Sequence, residues 1–206
     1  SNASRGLGDV YKRQLTYWYL RNFHKNADKV LVPTQSMINE LSKYKFQNLK
    51  VWARGVDTNL FDPSKRTRKD NEINITNVGR VAIEKNIKAF LELKTTMKKT
   101  VVGDGPELQK LKKKYPGVKF VGVKKGDELA QFYANADVFV FPSKTDTFGN
   151  VILEALASGT PVAAFPVVGP LDIMKNTEVD ALDENLGKSI EKALKIGADY
   201  IFLSPI

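Results

Sequence analysis

The stretch FVGVKKGDELAQFYANADVFVFPSKTDTFGNVILEALASGTPV, residues 120–162, decides the fold. It opens on an apolar strand at 119–123, passes through a helical pattern at 126–135 and reaches the unbroken run Val138-Phe139-Val140-Phe141. A second helical pattern at 150–158 and a second apolar strand at 161–165 follow. A short strand that is apolar at every position is buried on both faces, the condition of a parallel sheet covered by helices on either side. Parallel neighbours need a crossover of a dozen or more residues, which a helix supplies. The stretch reads as two consecutive βαβ units.

The same rhythm extends outward. Strands are expected at 73–78 and 100–102, with helices at 85–93 and 107–115, and one more helix at 184–196. From Ile73 onward the strand starts lie 27, 19, 19 and 23 residues apart. The fold class this predicts is α/β, a Rossmann-like open parallel sheet with helices on both faces. Upstream, strands at 30–33 and 51–53 flank a helix at 36–44, and the charged, proline-marked segment DPSKRTRKDNE at 62–72 marks a boundary. The organisation expected is a leader at 1–14, the remnant of a preceding unit at 15–62, the α/β domain at 63–198 and a tail cut from a longer chain at 199–206. The leader is set aside because SNA resembles an expression-tag scar and SRGLGDVYKRQ has no apolar period. The aromatic, basic YWYLRNFHK at 17–25 reads as a helix with His24 at its surface end; contact with a membrane is the competing reading.

Composition removes whole classes of chemistry. With 206 residues, 42% hydrophobic and 27% charged, the chain can bury an ordinary core, which excludes disorder and collagen. It has no cysteine and only His24, so thiol nucleophiles, disulfides and Cys- or His-rich metal centres are out. No secretion signal opens it, and the location expected is cytoplasmic, with peripheral contact at the inner membrane face as an addition. The net charge of +9 sits in one place: residues 94–125 hold ten Lys against Asp104 and Glu107, or +8. Lys112, Lys113 and Lys114 occupy consecutive helix positions and cannot all face one ligand, so the patch reads as a solvated face rather than a nucleic-acid site. Binding to RNA or anionic lipid is the alternative it leaves.

Open parallel sheets bind ligands beyond the carboxyl ends of their strands. The residues there are Gly79-Arg80-Val81-Ala82-Ile83-Glu84-Lys85, Gly103-Asp104-Gly105-Pro106, the run 142–150 and Pro166-Val167-Val168-Gly169-Pro170. This edge is glycine-rich and cationic, and it carries two acids, Asp146 and Glu154. Arg80 and Lys85 can neutralise a diphosphate, Arg as a fork and Lys as a point charge. Gly149 at a helix start lets backbone amides approach an anion. Asp146 and Glu154 are eight residues apart, about 12 Å on a continuous helix, wider than the roughly 5 to 9.5 Å of a glycosidase pair. They read as two hydroxyl clamps on either side of a diphosphate. The bland readings are a salt-bridge acid for Glu154, a solvated pair for Arg80 and Lys85, a plain turn for 103–106, and packing for Phe139, Phe141 and Phe148.

VGRVAIEKN at 78–86, VVGDGPE at 101–107, the 120–143 segment and TDTFGNVILEALASGTPV at 145–162 together resemble the donor-binding domain of GT-B glycosyltransferases, retaining family 4. ADKVLVPTQSMINEL at 27–41 and VWARGVDTNLFDP at 51–63 resemble the end of that family's acceptor domain and the interdomain junction. The resemblance implies hexosyl transfer with retention from a nucleotide sugar, UDP- or GDP-linked, with no metal cofactor. It implies that Arg80 and Lys85 contact the diphosphate, Asp146 faces the donor sugar in place of the family's Glu, and Glu154 bonds the ribose. It gives catalytic roles to Arg80, Lys85 and Asp146. Gly79, Thr147, Phe148, Gly149, Asn150 and Val151 line the sugar and phosphates, and Val123 and Lys124 border the base. The partners implied are a nucleotide-sugar donor and a glycolipid, polysaccharide or small-glycoside acceptor, not nucleic acid. Self-association through a truncated surface is a further expectation, and the fragment alone is expected to bind donor without turnover. The alternative function is a non-catalytic nucleotide-binding or regulatory module.

Overall fold

A computed structural model describes residues 2–146 and 148–203, with the side chains of 11–146 and 148–197. The chain forms two compact units, Ser1–Arg54 and Gly55–Ile206. The first contains helix α1 (Asn2–Phe23), strand β1 (Val30–Val32), helix α2 (Gln35–Lys43) and strand β2 (Leu49–Val51). β1 and β2 pair in parallel, Val30 opposite Leu49 and Val32 opposite Val51. This register places β2 ahead of the 51–53 expected for it, although Trp52 N–H still bonds the Val32 carbonyl at 2.8 Å. Thr34 starts α2 by accepting a hydrogen bond from Met37 N–H at 3.1 Å, an ordinary N-cap. Helix α1 runs through both the expected leader and YWYLRNF without a break. The segment has no proline, and two glycines, each costing about 1 kcal/mol of helix propensity, do not interrupt it.

The second unit is built on the 3-10 turn Pro63–Lys65, strand β3 (Asn74–Val78), the 3-10 turn Ile83–Lys85, helix α3 (Ile87–Leu91), strand β4 (Lys98–Val102), helix α4 (Leu108–Lys114) and strand β5 (Lys119–Phe120). Helix α5 (Gly126–Ala134), strand β6 (Val138–Phe141), helix α6 (Asn150–Ala157), strand β7 (Val162–Ala164), helix α7 (Val168–Met174) and helix α8 (Leu186–Leu203) complete it. The five strands are parallel in the order β5-β4-β3-β6-β7. This is the doubly wound sheet expected from the sequence. The period of two in β6 explains why both faces are apolar. Val138 and Val140 join Ile75, Val101, Phe90, Leu111 and Ile190 in one core, while Phe139 and Phe141 join Tyr133, Ile152, Ala155 and Met174 in the other. Among the described residues no helix is long and apolar enough to cross a membrane.

Three elements depart from the sequence reading. The single helix expected at 85–93 is a 3-10 turn and a short α3, divided at Asn86, whose φ of 51° is left-handed. Helix α7 was not expected; its Gly169-Pro170 pair reads as a loop, but proline is at home in a first helical turn. The unit boundary falls after Arg54, not at 62, because Val56, Leu60 and Phe61 pack into the core beside Tyr133. Phe61 meets that ring edge-on with centroids 5.7 Å apart.

The charged segment at 62–72 is a strap fastened to the sheet, not a free linker. Asp137 accepts from Arg66 Nη2 at 2.8 Å, from Arg68 Nη2, and from the Asn74 amide at 2.7 Å. Burial would raise its pKa, but the Asn74 amide and the two guanidinium groups outweigh burial and hold it below the ordinary 3.8. A carboxylate with a depressed pKa stabilises the fold at neutral pH and loses that contribution as pH falls through its folded value. Asp137→Asn is expected to cost about 1 to 2 kcal/mol at neutral pH, after allowance for partial solvent screening. Urea unfolding of both proteins should show the gap shrinking as the pH is taken below 3.8.

Candidate functional site

The order of the sheet reverses between β3 and β6, the position at which open parallel sheets form a ligand crevice between the loops that leave the two strands. Three contacts span it. Asn86 Nδ2 donates to the Pro142 carbonyl at 2.9 Å, Thr145 Oγ1 donates to the Glu84 carbonyl at 3.3 Å, and Lys85 Nζ meets Asp146 Oδ1 at 2.5 Å. The left-handed Asn86 is what lets this happen, since asparagine tolerates that conformation and the turn it makes aims Lys85 across the gap. The loop after β4 closes in from the side. Val81 N–H bonds the Asp104 carbonyl at 2.9 Å and Glu107 N–H bonds the Val81 carbonyl at 3.1 Å. Gly103 N–H reaches the Gly122 carbonyl at 2.8 Å, tying in the segment after β5.

On the other side, α6 starts at Gly149, whose φ of 79° suits a residue without Cβ, and no side chain caps its first amides. Of these amides, that of Ile152 bonds the Gly149 carbonyl at 2.9 Å; the others stand at a helix start, where a ligand or water can meet them. The loop ahead of α6 is held from behind: a Cβ on Gly169 would lie 2.9 Å from the Asp146 carbonyl oxygen and 3.1 Å from that of Phe148. Asp146 stands on the loop ahead of α6, as the sequence has it, so the roughly 12 Å of a continuous helix does not apply to its separation from Glu154. Its Oδ2 is buried and has no hydrogen-bond partner among the described residues.

Gly79, Arg80, Lys85, Asp146, Phe148, Gly149, Asn150 and Val151 thus line the loops and helix start around the switch point. Thr147 lies outside the described residues. Arg80 is 65% exposed and leans on Glu84, Nη1 to Oε1, at 3.5 Å. Val123 and Lys124 follow β5, two strands from β3; Val123 is exposed and Lys124 pairs with Glu128 at 3.3 Å. Glu154 sits mid-helix in α6, where Oε2 accepts a hydrogen bond from the Tyr133 hydroxyl at 2.7 Å. Phe139 and Phe141 are core, as the packing reading had it. Sequence reasoning missed Glu84, Asn86 and Tyr133. Asn after Glu-Lys is a detectable left-handed signal, while Tyr133 lies 21 positions from Glu154 and gives no local sign of the bond.

A cavity of about 720 Å³ opens elsewhere, against β4, β5 and α5, with Arg68, Lys98, Lys119 and Lys124 in its wall. Three of its cations are already matched, Arg68 to Asp137, Lys98 to Glu72 and Lys124 to Glu128. Among the described residues no cluster of three or more His, Cys, Asp or Glu forms a metal site.

The sheet, with charged loops at its reversal, is an α/β fold of the open parallel kind that binds ligands at a switch point. The family model for group 1 glycosyl transferases matches residues 72–195, and that for Glycosyltransferase Family 4 matches 6–60. The chain belongs to the group 1 glycosyltransferases. It is 36% identical over 180 residues to a GDP-mannose-dependent alpha-mannosyltransferase of Mycolicibacterium smegmatis, covering 83% of this chain and 48% of that protein. The sulfoquinovosyl transferase SQD2 of Arabidopsis thaliana is 36% identical over 176 residues, 75% of this chain and 34% of the relative. The chain spans half or less of the length of these curated relatives. In structure it is similar to Anabaena Alr3699/HepE in complex with UDP, with a TM-score of 0.70 at 20% identity, over 92% of this chain and 62% of that one. Staphylococcus aureus TarM gives a TM-score of 0.70 at 18% identity, over 89% of this chain and 39% of that one.

The closeness of these loops is testable at Gly103. Its φ is +136°, and a Cβ there would lie 1.9 Å from the Gly79 carbonyl oxygen, so one loop must move. Gly103→Ala should cost about 2 to 3 kcal/mol in chemical unfolding. Gly117→Ala, with nothing within 4 Å of the new methyl, should leave the midpoint nearly unchanged.

Proposed function

We propose that this chain is the donor-binding half of a retaining glycosyltransferase, and that its switch-point loops take a nucleoside diphosphate hexose, UDP- or GDP-linked. The observation that carries the reading is the Lys85–Asp146 pair across the crevice, with the buried second oxygen of Asp146 without a hydrogen-bond partner among the described residues. A cation and an acid joined there offer the charges that a diphosphate and a sugar hydroxyl need. On binding, Lys85 turns from Asp146 to the diphosphate, and Asp146 accepts hydrogen bonds from the sugar. Arg80, exposed and held only by a weak pair with Glu84, swings onto the same diphosphate. The uncapped amides of α6 and the helix dipole add positive potential at the phosphates.

This arrangement lowers the barrier to breaking the bond between sugar and diphosphate, because the negative charge that develops on the departing nucleoside diphosphate meets fixed donors. Arg80, Lys85 and Asp146 carry the catalytic roles. Glu154 takes the ribose hydroxyls, Gly79 and the backbone at 147–151 line the sugar and phosphates, and Val123 and Lys124 border the base. Relatives named as GDP-mannose-dependent support a guanine nucleotide, and a structural neighbour in complex with UDP supports a uracil one. The acceptor is a glycolipid, polysaccharide or glycoside, bound by the remainder of a longer protein.

Calorimetry against UDP, GDP and ADP, free and hexose-linked, tests the reading. Wild-type chain should bind one of them, and Arg80→Ala and Lys85→Ala should each weaken binding about tenfold or more, the worth of a charge-assisted hydrogen bond. Absence of binding to every nucleotide would overturn it. In a full-length transferase, Asp146→Ala should abolish sugar transfer while leaving nucleoside diphosphate affinity within about threefold, since Asp146 meets the sugar and not the diphosphate.

A further inference from the structure

Tyr133 is fully buried at the end of α5, its ring edge-on to Phe61 and, at 5.4 Å between centroids, to Phe139. A tyrosine in such a place has one polar atom to satisfy, and here it is satisfied by Glu154 Oε2 alone at 2.7 Å. The backbone of the same residue is fixed as well: its carbonyl accepts from Thr160 Oγ1 at 2.7 Å, which fastens the end of α5 to the turn after α6. The tyrosine can move neither along its helix nor about its ring without breaking packing on two sides. Burial, and after it the nearby carboxylate, push the phenol pKa far above its ordinary value, so the hydroxyl keeps its proton at every working pH. It donates this bond to the Glu154 carboxylate.

We infer that Tyr133 is a positioning residue for recognition of the donor ribose: by occupying Oε2 it sets the rotation of the Glu154 carboxylate and presents Oε1 to the vicinal hydroxyls. The inference rests on the proposed reading of Glu154 as the ribose clamp. Its physical content is preorganisation. A glutamate has three side-chain torsions, and one mid-helix and partly exposed samples several of them unless a partner selects one. A bidentate grip on two adjacent hydroxyls tolerates little rotation of the carboxylate plane, so a partner that removes that rotation before binding strengthens the complex. Tyr133 touches neither sugar nor phosphate and acts only through Glu154.

The test compares each nucleoside diphosphate with its 2′,3′-dideoxy counterpart, GDP against dideoxy-GDP and UDP against dideoxy-UDP, on wild-type chain, Glu154→Ala, Tyr133→Phe and Phe61→Leu. Wild type should prefer the ribonucleotide about tenfold, and Glu154→Ala should abolish the preference. Tyr133→Phe should reduce the ribonucleotide affinity about fivefold and leave the dideoxy affinity unchanged, because only the ribose contact depends on the carboxylate rotation. Phe61→Leu, which loosens the ring's wall and keeps the hydroxyl, should preserve the preference. If wild type and Glu154→Ala bind both nucleotides alike, the ribose reading of Glu154 falls and the inference with it. If Glu154→Ala loses the preference and Tyr133→Phe keeps it, or Tyr133→Phe weakens both nucleotides equally, the inference alone is overturned. Loss of the preference in Phe61→Leu would assign the effect to core packing and overturn it too.

Discussion

The structure around the candidate site depends on one constraint: two loops that leave adjacent parallel strands in opposite topological directions are held together over the gap they create. Nothing in a parallel sheet does this by itself, because the ladder of hydrogen bonds ends with the strands. Here it is done by Asn86 on the Pro142 carbonyl, Thr145 on the Glu84 carbonyl and Lys85 on Asp146. The first two are neutral bonds to backbone carbonyls. The third is ionic and half-exposed, the kind of pair whose net worth is small enough to yield to a better ligand. Under the proposed function it is this pair that a diphosphate would have to open.

Charge alone would have misdirected the search. The densest positive region of the chain lies at 94–125, and the 720 Å³ cavity lies beside it, yet in the wall of that cavity Arg68, Lys98 and Lys124 are bound to acids and Lys99 to the carbonyls of Leu91 and Leu93. Lys112, Lys113 and Lys114 stand exposed on α4 and point in different directions around the helix axis. The switch-point loops carry fewer charges, but they carry them beside an uncapped helix start and an unpartnered carboxylate oxygen. What marks the site is unmet bonding capacity in a fixed frame, not the count of lysines.

How far the residues announced all this varied with the range of the interaction. VFVF at 138–141 is a strand in both readings, residue for residue, because four apolar positions in sequence leave no other solution between two turn signals. The Gly149 helix start, the buried Phe139 and Phe141, and the loop positions of Arg80, Lys85 and Asp146 were legible for the same local reason. The first part of helix α1 was not, since the expected leader offers no period to read, although 17–25 did read as a helix. Nor was the edge of the second unit, because Phe61 reads as the end of the preceding unit until its contact with Tyr133 is seen. The spacing of Asp146 and Glu154 carries no distance by itself, because a left-handed glycine stands between the acid and the first helical turn. Tyr133 shows in sequence only as an aromatic ring with no sign of its bond to Glu154, which is half of what it is.

That half-reading has a physical lesson. In a core of this density phenylalanine fills the space of tyrosine without a polar atom to satisfy, so the hydroxyl of Tyr133 brings a desolvation cost that packing cannot return. The bond to Glu154 offsets that cost only if the carboxylate stays where the ring puts it. Conversely, Glu154 would lose water on one side of α6 without return unless a donor met it there. Each group is thus tolerable because of the other, and the pair is fixed by two apolar neighbours that have no chemistry of their own. A carboxylate restrained in this way, by a donor that cannot lose its proton, differs from Asp146, whose cation is free to leave. The same sheet edge therefore holds one acid that is set in advance and one that is released on demand, which suits a ligand whose nucleoside is common to substrate and product while its sugar must depart.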